Sequence, residues 1–334
     1  MTKVAPGSGP GNGAGWLLGR PEGSRKHMAS AKHIICVGHA ALDRIYRIEA
    51  FPPQPTKVRA LEHIETGGGM AANASVAIAR LGGAAELWSR VGDDNAGQTI
   101  RAGLRAEKVD VRYVQAFEGA RSSTSAIIVD DNGERLIIGQ RDAGMPSGTS
   151  WLPLERIRGA AAVVGDVRWL EGVRTVFTQA RKDRVPTVLD GDLGAREALP
   201  GLLQLTDYAI FSAPALRDLV STGSDAQRLQ QVLTMGPRHA GVTLGAEGYL
   251  WCELEGGAAT SPTHVPAFSV AATDTTGAGD AFHGAFALLM AEGRPAPECA
   301  RLAAAAAALK CTRLGSRAGL PSRNELEAFE RSHK

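Results

Sequence analysis

Cysteine is scarce in this chain: four among 334 residues, at Cys36, Cys252, Cys299 and Cys311. They form no C-x-x-C pair and no metal-ligand grouping, which argues against a disulfide framework or a zinc ribbon. Small buried thiols in a reducing cytosol are expected instead. Neither sign of charge is in real excess. Thirty-seven Lys and Arg against 35 Asp and Glu leave a formal +2, too little to suggest nucleic acid or an acidic membrane surface as the main partner. Long apolar runs are missing as well: residues 281–291 and 302–309 are too short and too alanine-rich to span a bilayer. Aromatic residues make up 5% while glycines number 40, a balance that suits an α/β enzyme with many tight turns. The 44% hydrophobic content of this length can fill one large core or two smaller ones.

The first thirty residues differ from the rest. Residues 1–23 are rich in Gly and Pro without apolar periodicity, and 24–30 add no apolar core of signal-peptide length. Residues 1–30 are therefore expected to be a disordered leader or an added extension, with Met28 a candidate natural start. Residues 31–330 are expected to form the folded domain.

From residue 33 onward, strand and helix patterns alternate. Buried-strand patterns at 33–38, 86–91, 163–167, 187–190, 208–211 and 241–244 are interleaved with helical ones at 71–81, 96–107, 172–181, 214–220 and 226–235. This predicts an α/β fold with a central, mainly parallel sheet and helices on both faces. Strand patterns drawn from about 40–66 and 112–141 look antiparallel and do not fit that sheet. They are expected to form a small β-sheet lid over the carboxyl ends of the parallel strands, where ligands of such sheets bind.

The most informative segment is Asp274-Thr275-Thr276-Gly277-Ala278-Gly279-Asp280-Ala281-Phe282, leading into an apolar helical stretch. Small residues at a helix mouth leave backbone N–H groups bare, and with the helix dipole these make an anion cradle. Asp280 falls in the first helical turn beside that cradle. A cradle for moving negative charge next to an acceptor for a hydroxyl proton is what phosphoryl transfer to an alcohol requires. Taken alone, the segment also fits a glycine turn with Asp280 as a cap.

The segment resembles the C-terminal signature D-T-x-G-A-G-D-x-F of the ribokinase-like (PfkB) carbohydrate kinases. Gly67-Gly68-Gly69 with Asn73 resembles a second, upstream motif of that family, and the resemblance runs from about residue 33 to 329. It implies an ATP-dependent sugar kinase using Mg²⁺, cytoplasmic, and often a homodimer paired through the lid. It also implies roles for individual residues. Asp280 matches the catalytic base, and Gly277, Ala278 and Gly279 the anion hole. Asp43, Gly68, Gly69 and Asn73 match the sugar contacts. Thr243, Gly245 and Gly248 resemble the T-x-G-x-x-G nucleotide turn, a pattern that alone fits a plain turn equally well. Asp274 and Thr276, with the loop near Gly315, match the monovalent-cation (K⁺) site of potassium-activated members. Lying at a helix N-terminus, Asp280 is expected to be a weak base, because the dipole favours its ionised form.

One departure concerns the metal. Many members carry N-x-x-E after the strand ending at Phe211, whereas this chain has Ser212-Ala213-Pro214-Ala215. The Mg²⁺ ligands are therefore left open, with Asp190 and Asp192 as candidates. Several runs, among them Asp166-Val167-Arg168-Trp169 and Arg317-Ala318-Gly319-Leu320-Pro321, are similar to the sulfofructose kinase branch. That likeness implies phosphorylation of the C1 hydroxyl of 6-deoxy-6-sulfofructose, with Lys57 and Arg168 gripping the sulfonate. Where the branch carries a sulfonate-binding asparagine this chain has Gly139, followed by Gln140 and Arg141, which leaves room for a neutral sugar of the ribokinase, fructokinase or ketodeoxygluconate kinase type. A nucleoside kinase or a non-catalytic sugar-binding protein are the remaining alternatives.

Overall fold

The computed structural model describes residues 31–132, 134–140 and 144–333. The expected leader (1–30) and Arg141 lie outside these residues. Ile34, Ile35, Cys36 and Val37 have no exposed surface, and a run apolar on both faces fits only the middle of a sheet covered on both sides. Strand β1 (His33–Gly38) accordingly lies between β4 (Ala84–Gly92) and β8 (Ala162–Asp166), parallel to both. From β8 the sheet continues in parallel through β9 (Thr187–Gly191), β10 (Tyr208–Ser212) and β11 (His239–Thr243). It ends in antiparallel β12 (Tyr249–Glu255), which pairs with β13 (Ala258–Ala259) and β14 (Thr263–Val265). On the other side β4 pairs with β5 (Val114–Phe117). The chain thus runs from β1 one way to β4 and β5, then returns to β8 on the opposite side. The β1/β8 boundary is a topological switch point, and its crevice opens at the carboxyl ends of the strands.

Helices α1 (Met70–Arg80), α2 (Asn95–Ala106), α7 (Ala278–Ala291), α8 (Ala296–Cys311) and α9 (Arg323–Ser332) contribute to the hydrophobic cluster on one face. Helices α3 (Leu170–Asp183), α4 (Leu199–Leu203), α5 (Ala213–Leu219) and α6 (Asp225–Leu233) contribute to the cluster on the other. Helix α7 is buried nearly all round, and each of Phe286, Leu288 and Leu289, at most 1% exposed, contributes about 1.5–3 kcal/mol through its burial. Its approach to α1 is close, because a Cβ on Gly284 would stand 2.6 Å from the Ala74 carbonyl.

A second sheet holds β3 (Glu62–Gly68), β2 (Ala41–Arg47), β6 (Ser123–Val129) and β7 (Arg135–Gln140), in that order. Two expectations need correction. The strand at 114–117 belongs to the main sheet and not to the lid, because Val114 packs into the α2-side core at 1% exposure. The lid is also not wholly antiparallel, since β2 and β6 run parallel. Period-two alternation reports which face is buried, and says nothing about which partner a short strand finds or in which direction. Among the described residues, no helix is long and apolar enough to cross a membrane.

Candidate active site

The close packing of α1 on α7 brings two distant motifs into contact. Asn73 Nδ2 donates to Asp280 Oδ2 at 2.7 Å across 207 positions of sequence. The Asn73 amide is oriented from behind, because Arg317 Nε donates to its Oδ1 at 2.9 Å. Arg317 is itself buried, and burial lowers its pKa to about 10 against the pull of Glu107, Asp43 and Asp280. Its guanidinium lies where Gly67 has no side chain, since a Cβ there would come within 1.9 Å of Nη1.

Asp43 enters from the lid strand β2. Ser125 Oγ, on the paired strand β6, donates to its Oδ1 at 2.8 Å. Burial raises the Asp43 pKa, against the opposing influence of Ser125, His39 and Arg317. Gly68 is required beside it, because a Cβ would stand 2.1 Å from Asp43 Oδ2. Arg317 also donates to the Gly68 carbonyl at 3.4 Å, so Gly68 is linked through Arg317 to Asn73 and from there to Asp280. Gly139 lies opposite Ser125 on β7 with open space where a side chain would project. Lys57 is exposed in the β2–β3 loop, and among the described residues no contact ties it to this group.

The floor of the crevice carries carboxylates from successive strand ends. Asp166 accepts the amides of His39 (2.7 Å), Ala71 (3.0 Å) and Arg168 (2.8 Å), which fixes the β1 and β8 ends against α1. Asp190 is buried, and burial together with Asp166 and Asp192 drives its pKa well above the carboxylate range. Asp192 accepts from Ser212 Oγ (3.0 Å) and from Arg168 Nη2 (2.6 Å). Arg168 also donates to the Leu193 carbonyl at 2.6 Å, so its guanidinium is already engaged. His283 Nδ1 donates to the Gly279 carbonyl at 2.7 Å, and its Nε2 lies 3.4 Å from Asp190 Oδ1. Its Nε2 also faces the Ile210 carbonyl at 3.2 Å, and burial lowers the pKa of the ring.

The expected weak basicity of Asp280 is overturned. Its pKa is pushed up to about 8, first by burial and then by the Asp190 charge, with Asn73 and His283 opposing. Desolvation and a like charge outweigh the dipole of one helix end, whose influence is the smaller of these terms. Asp280 is thus a stronger base than its place on α7 suggests.

Across α7 lies a cavity of about 590 Å³ lined by Thr243, Gly245, Gly248, Phe268, Val270, Thr275, Ala278, Gly279, Ala304 and Cys311, among others. Its volume suits a nucleotide. One end is apolar and the other reaches the start of α7, so the nucleotide-turn residues and the glycine nest face a single space. Gly277 begins α7 at φ +80°, where a Cβ would meet the Ser316 carbonyl at 2.9 Å. No side chain caps the helix. The Ala278 amide turns inward to the Thr275 carbonyl (3.2 Å), whereas Gly279 faces the cavity.

Among the described residues, no cluster of three or more His, Cys, Asp or Glu side chains forms a metal cage. Mg²⁺ does not need one, because it binds through nucleotide phosphates, water and one or two carboxylates. Asp190 and Asp192 fit that demand, and the raised pKa of Asp190 marks a place where a cation is favourable. Potassium does not fit its expected site. Asp274 accepts the Thr276 amide (2.9 Å) and the Gly315 amide (2.8 Å), and its carbonyl accepts Lys310 Nζ at 2.7 Å. Lys310 Nζ stands 3.7 Å from Asp274 Oδ2, and a second cation on that carboxylate about 4 Å from the ammonium would meet a repulsion of about 4 kcal/mol at an effective dielectric of 20.

Asp166, His283 and Arg317 escaped the sequence-based site, and Asp190 entered it only as a candidate Mg²⁺ ligand. A carboxylate ending a buried strand in an α/β sheet was the available signal for Asp166 and Asp190. Arg317 lay within a run already singled out, but nothing in the sequence points its side chain at Asn73.

Comparison with known proteins agrees with this geometry. The model of the "pfkB family carbohydrate kinase" matches residues 31–323. A ribokinase of Bacillus subtilis is 27% identical over 299 residues, covering 89% of this chain and 98% of its own. A fructokinase of Klebsiella pneumoniae is 30% identical, covering 79% and 92%. Among solved structures, a candidate ribokinase from Agrobacterium tumefaciens superposes with a TM-score of 0.86 at 38% identity, covering 91% of this chain and 99% of its own. The Arabidopsis thaliana ribokinase complexed with ribose and ATP gives 0.77 at 26%, covering 90% and 98%. A match over nearly the whole folded chain, joined to a carboxylate and a glycine nest between a nucleotide-sized cavity and a polar crevice, makes this chain a member of the pfkB family of carbohydrate kinases, an ATP-dependent phosphotransferase of the ribokinase-like fold.

Proposed function

We propose that Asp280 takes the proton from a primary hydroxyl of a ketose while the γ-phosphoryl group of ATP moves to that oxygen. The supporting observation is the Asn73–Asp280 hydrogen bond of 2.7 Å, which joins the acceptor motif to the carboxylate at the phosphate nest. Asp43, Gly68, Gly69 and Asn73 hold the sugar hydroxyls, with Arg317 fixing the Asn73 amide. Gly277 shapes the nest, and the Gly279 backbone meets the transferring charge together with the dipole of α7. The nucleotide occupies the cavity bounded by Thr243, Gly245 and Gly248, and Mg²⁺, when bound through the phosphates, neutralises charge beside Asp190 and Asp192.

The acceptor in this proposal carries an anionic group, as 6-deoxy-6-sulfofructose does, phosphorylated at C1. Support comes from Arg168 at the carboxyl end of β8, with Lys57 on the lid loop able to close from above. The Arg168–Asp192 ion pair favours a second reading, a neutral sugar, because an anion would have to displace Asp192. ADP release measured on sulfofructose, fructose, ribose, fructose phosphates, 2-keto-3-deoxygluconate and adenosine separates the two. The highest kcat/KM is expected for the anionic ketose, and a higher value for ribose or fructose overturns this choice. Arg168→Ala should raise KM for the anionic sugar about tenfold and leave a neutral ketose nearly unaffected. That is the low end of a charge-assisted contact of about 1.5–3 kcal/mol, since the guanidinium starts already paired. Equal losses on both sugars would make Arg168 a structural residue.

The enzyme works in the cytoplasm as a homodimer paired through the lid. Leu136, Ile137 and Ile138 on edge strand β7 are 47%, 57% and 58% exposed, a bare apolar edge that natural sheets normally cover. Sedimentation should give about twice the 35.0 kDa chain mass, and Ile138→Lys should shift it towards the monomer. A monomeric wild type at micromolar concentration refutes the pairing.

A further inference from the structure

We propose that the ammonium group of Lys310 is a built-in monovalent cation, so that phosphoryl transfer by this chain needs no potassium. Lysine is almost never fully buried unless its charge is paired, and Lys310, in the last turn of α8, has no exposed surface. Its Nζ donates to the Asp274 carbonyl at 2.7 Å and stands 3.7 Å from Asp274 Oδ2. The soluble-cation site implied by the resemblance uses Asp274 and the Thr276 carbonyl with the Gly315 loop, and the ammonium stands beside the same Asp274 carboxylate. The carboxylate also accepts the backbone amides of Thr276 and Gly315 and the Thr276 hydroxyl, and the Lys310 charge lowers its pKa.

The position of that charge explains its use. Residues Thr273 and Asp274 donate to the Cys311 carbonyl at 2.8 and 3.1 Å, one residue beyond Lys310. Gly277 abuts the Ser316 carbonyl, where a Cβ would come within 2.9 Å. The ammonium therefore clamps the loop that enters α7 to the segment that leaves α8, and so sets the orientation of the glycine nest. Its charge is covalently tethered and cannot dissociate when ion concentrations fall. A kinase activated by a soluble ion responds to that ion, whereas this chain carries the activated arrangement permanently. Lys310 touches neither sugar nor nucleotide in this scheme and acts through Asp274, as a positioning residue.

The inference rests on the kinase activity of the family and not on the identity of the acceptor, and one test arm needs no acceptor at all. Wild-type rates in KCl, NaCl, CsCl and tetramethylammonium chloride at equal ionic strength should agree within twofold. Its melting temperature should likewise be unchanged on replacing tetramethylammonium by K⁺. Lys310→Ala, which removes the charge and opens space, should lose at least tenfold in kcat in tetramethylammonium and regain most of it in a saturable way with K⁺ or NH₄⁺. Its melting temperature should rise with K⁺ over the same range. Lys310→Met, which fills the space without charge, should lose activity without recovery. Potassium activation of the wild type by more than twofold overturns the proposal, as does a folded Lys310→Ala protein indifferent to every cation in both rate and melting temperature. Should Lys310→Ala fail to fold, the wild-type responses in rate and melting temperature decide alone.

Discussion

Asp280→Asn should abolish turnover, with kcat reduced by about 10³-fold or more, while ATP and sugar still bind with nearly native affinity. The amide keeps the shape and the contact with Asn73 but cannot accept the hydroxyl proton. Near-native kcat in this variant would remove Asp280 from the role of base. Its raised pKa of about 8 adds a pH signature. In the free enzyme kcat/KM should climb as pH rises towards 8, because the base is competent only when ionised. Stability should move the other way. A carboxyl whose folded pKa lies above its unfolded value favours the fold fully below the unfolded pKa, and that contribution is lost as pH rises through the folded one. The gain in melting temperature from Asp280→Asn should therefore grow between about pH 4 and pH 8 and then level off. A gain independent of pH would mean that the Asp280 carboxylate is not desolvated in the folded chain.

Gly279→Val should leave the fold intact and still lower kcat/KM by about 100-fold or more. A Cβ on Gly279 meets nothing within 4 Å, and its backbone lies outside the left-handed region, so neither a clash nor strain opposes valine. The same openness is the space of the nucleotide cavity, which Gly279 lines. A branched side chain there fills the volume of the transferring phosphoryl group and keeps it from the backbone of the nest, a loss on the scale of one removed oxyanion donor, about 3–4 kcal/mol. An unchanged melting temperature with collapsed turnover is the expected pair of results. Full activity would mean that the phosphate lies elsewhere along α7. Gly277 makes the contrast, since its positive φ and the adjacent Ser316 carbonyl predict a folding defect for any substitution.

The sequence by itself determined the fold class and the chemistry. The runs at 33–38 and 187–190 read as buried strands, and their alternation with helices admits little besides a parallel sheet. The GAGD segment and the distant Gly68, Gly69 and Asn73 point to a sugar kinase through their resemblance to the pfkB family, since short motifs report local backbone shape and composition. What tertiary structure alone decided are quantities that depend on several chain segments at once. The basicity of Asp280 follows from burial and from Asp190, some ninety positions away, and no local rule about helix ends contains that term. The partner of Arg168 is Asp192 across two strand ends, so a guanidinium that looks free in sequence starts in an ion pair. Membership of β5 in the main sheet was settled by the core pocket for Val114, since a four-residue strand carries no sheet address of its own. The cation of the Asp274 loop is a lysine from α8, for a periodic alanine-rich helix does not announce where its one buried charge will point. Electrostatics and desolvation act through space, and only the folded chain fixes the distances over which they act.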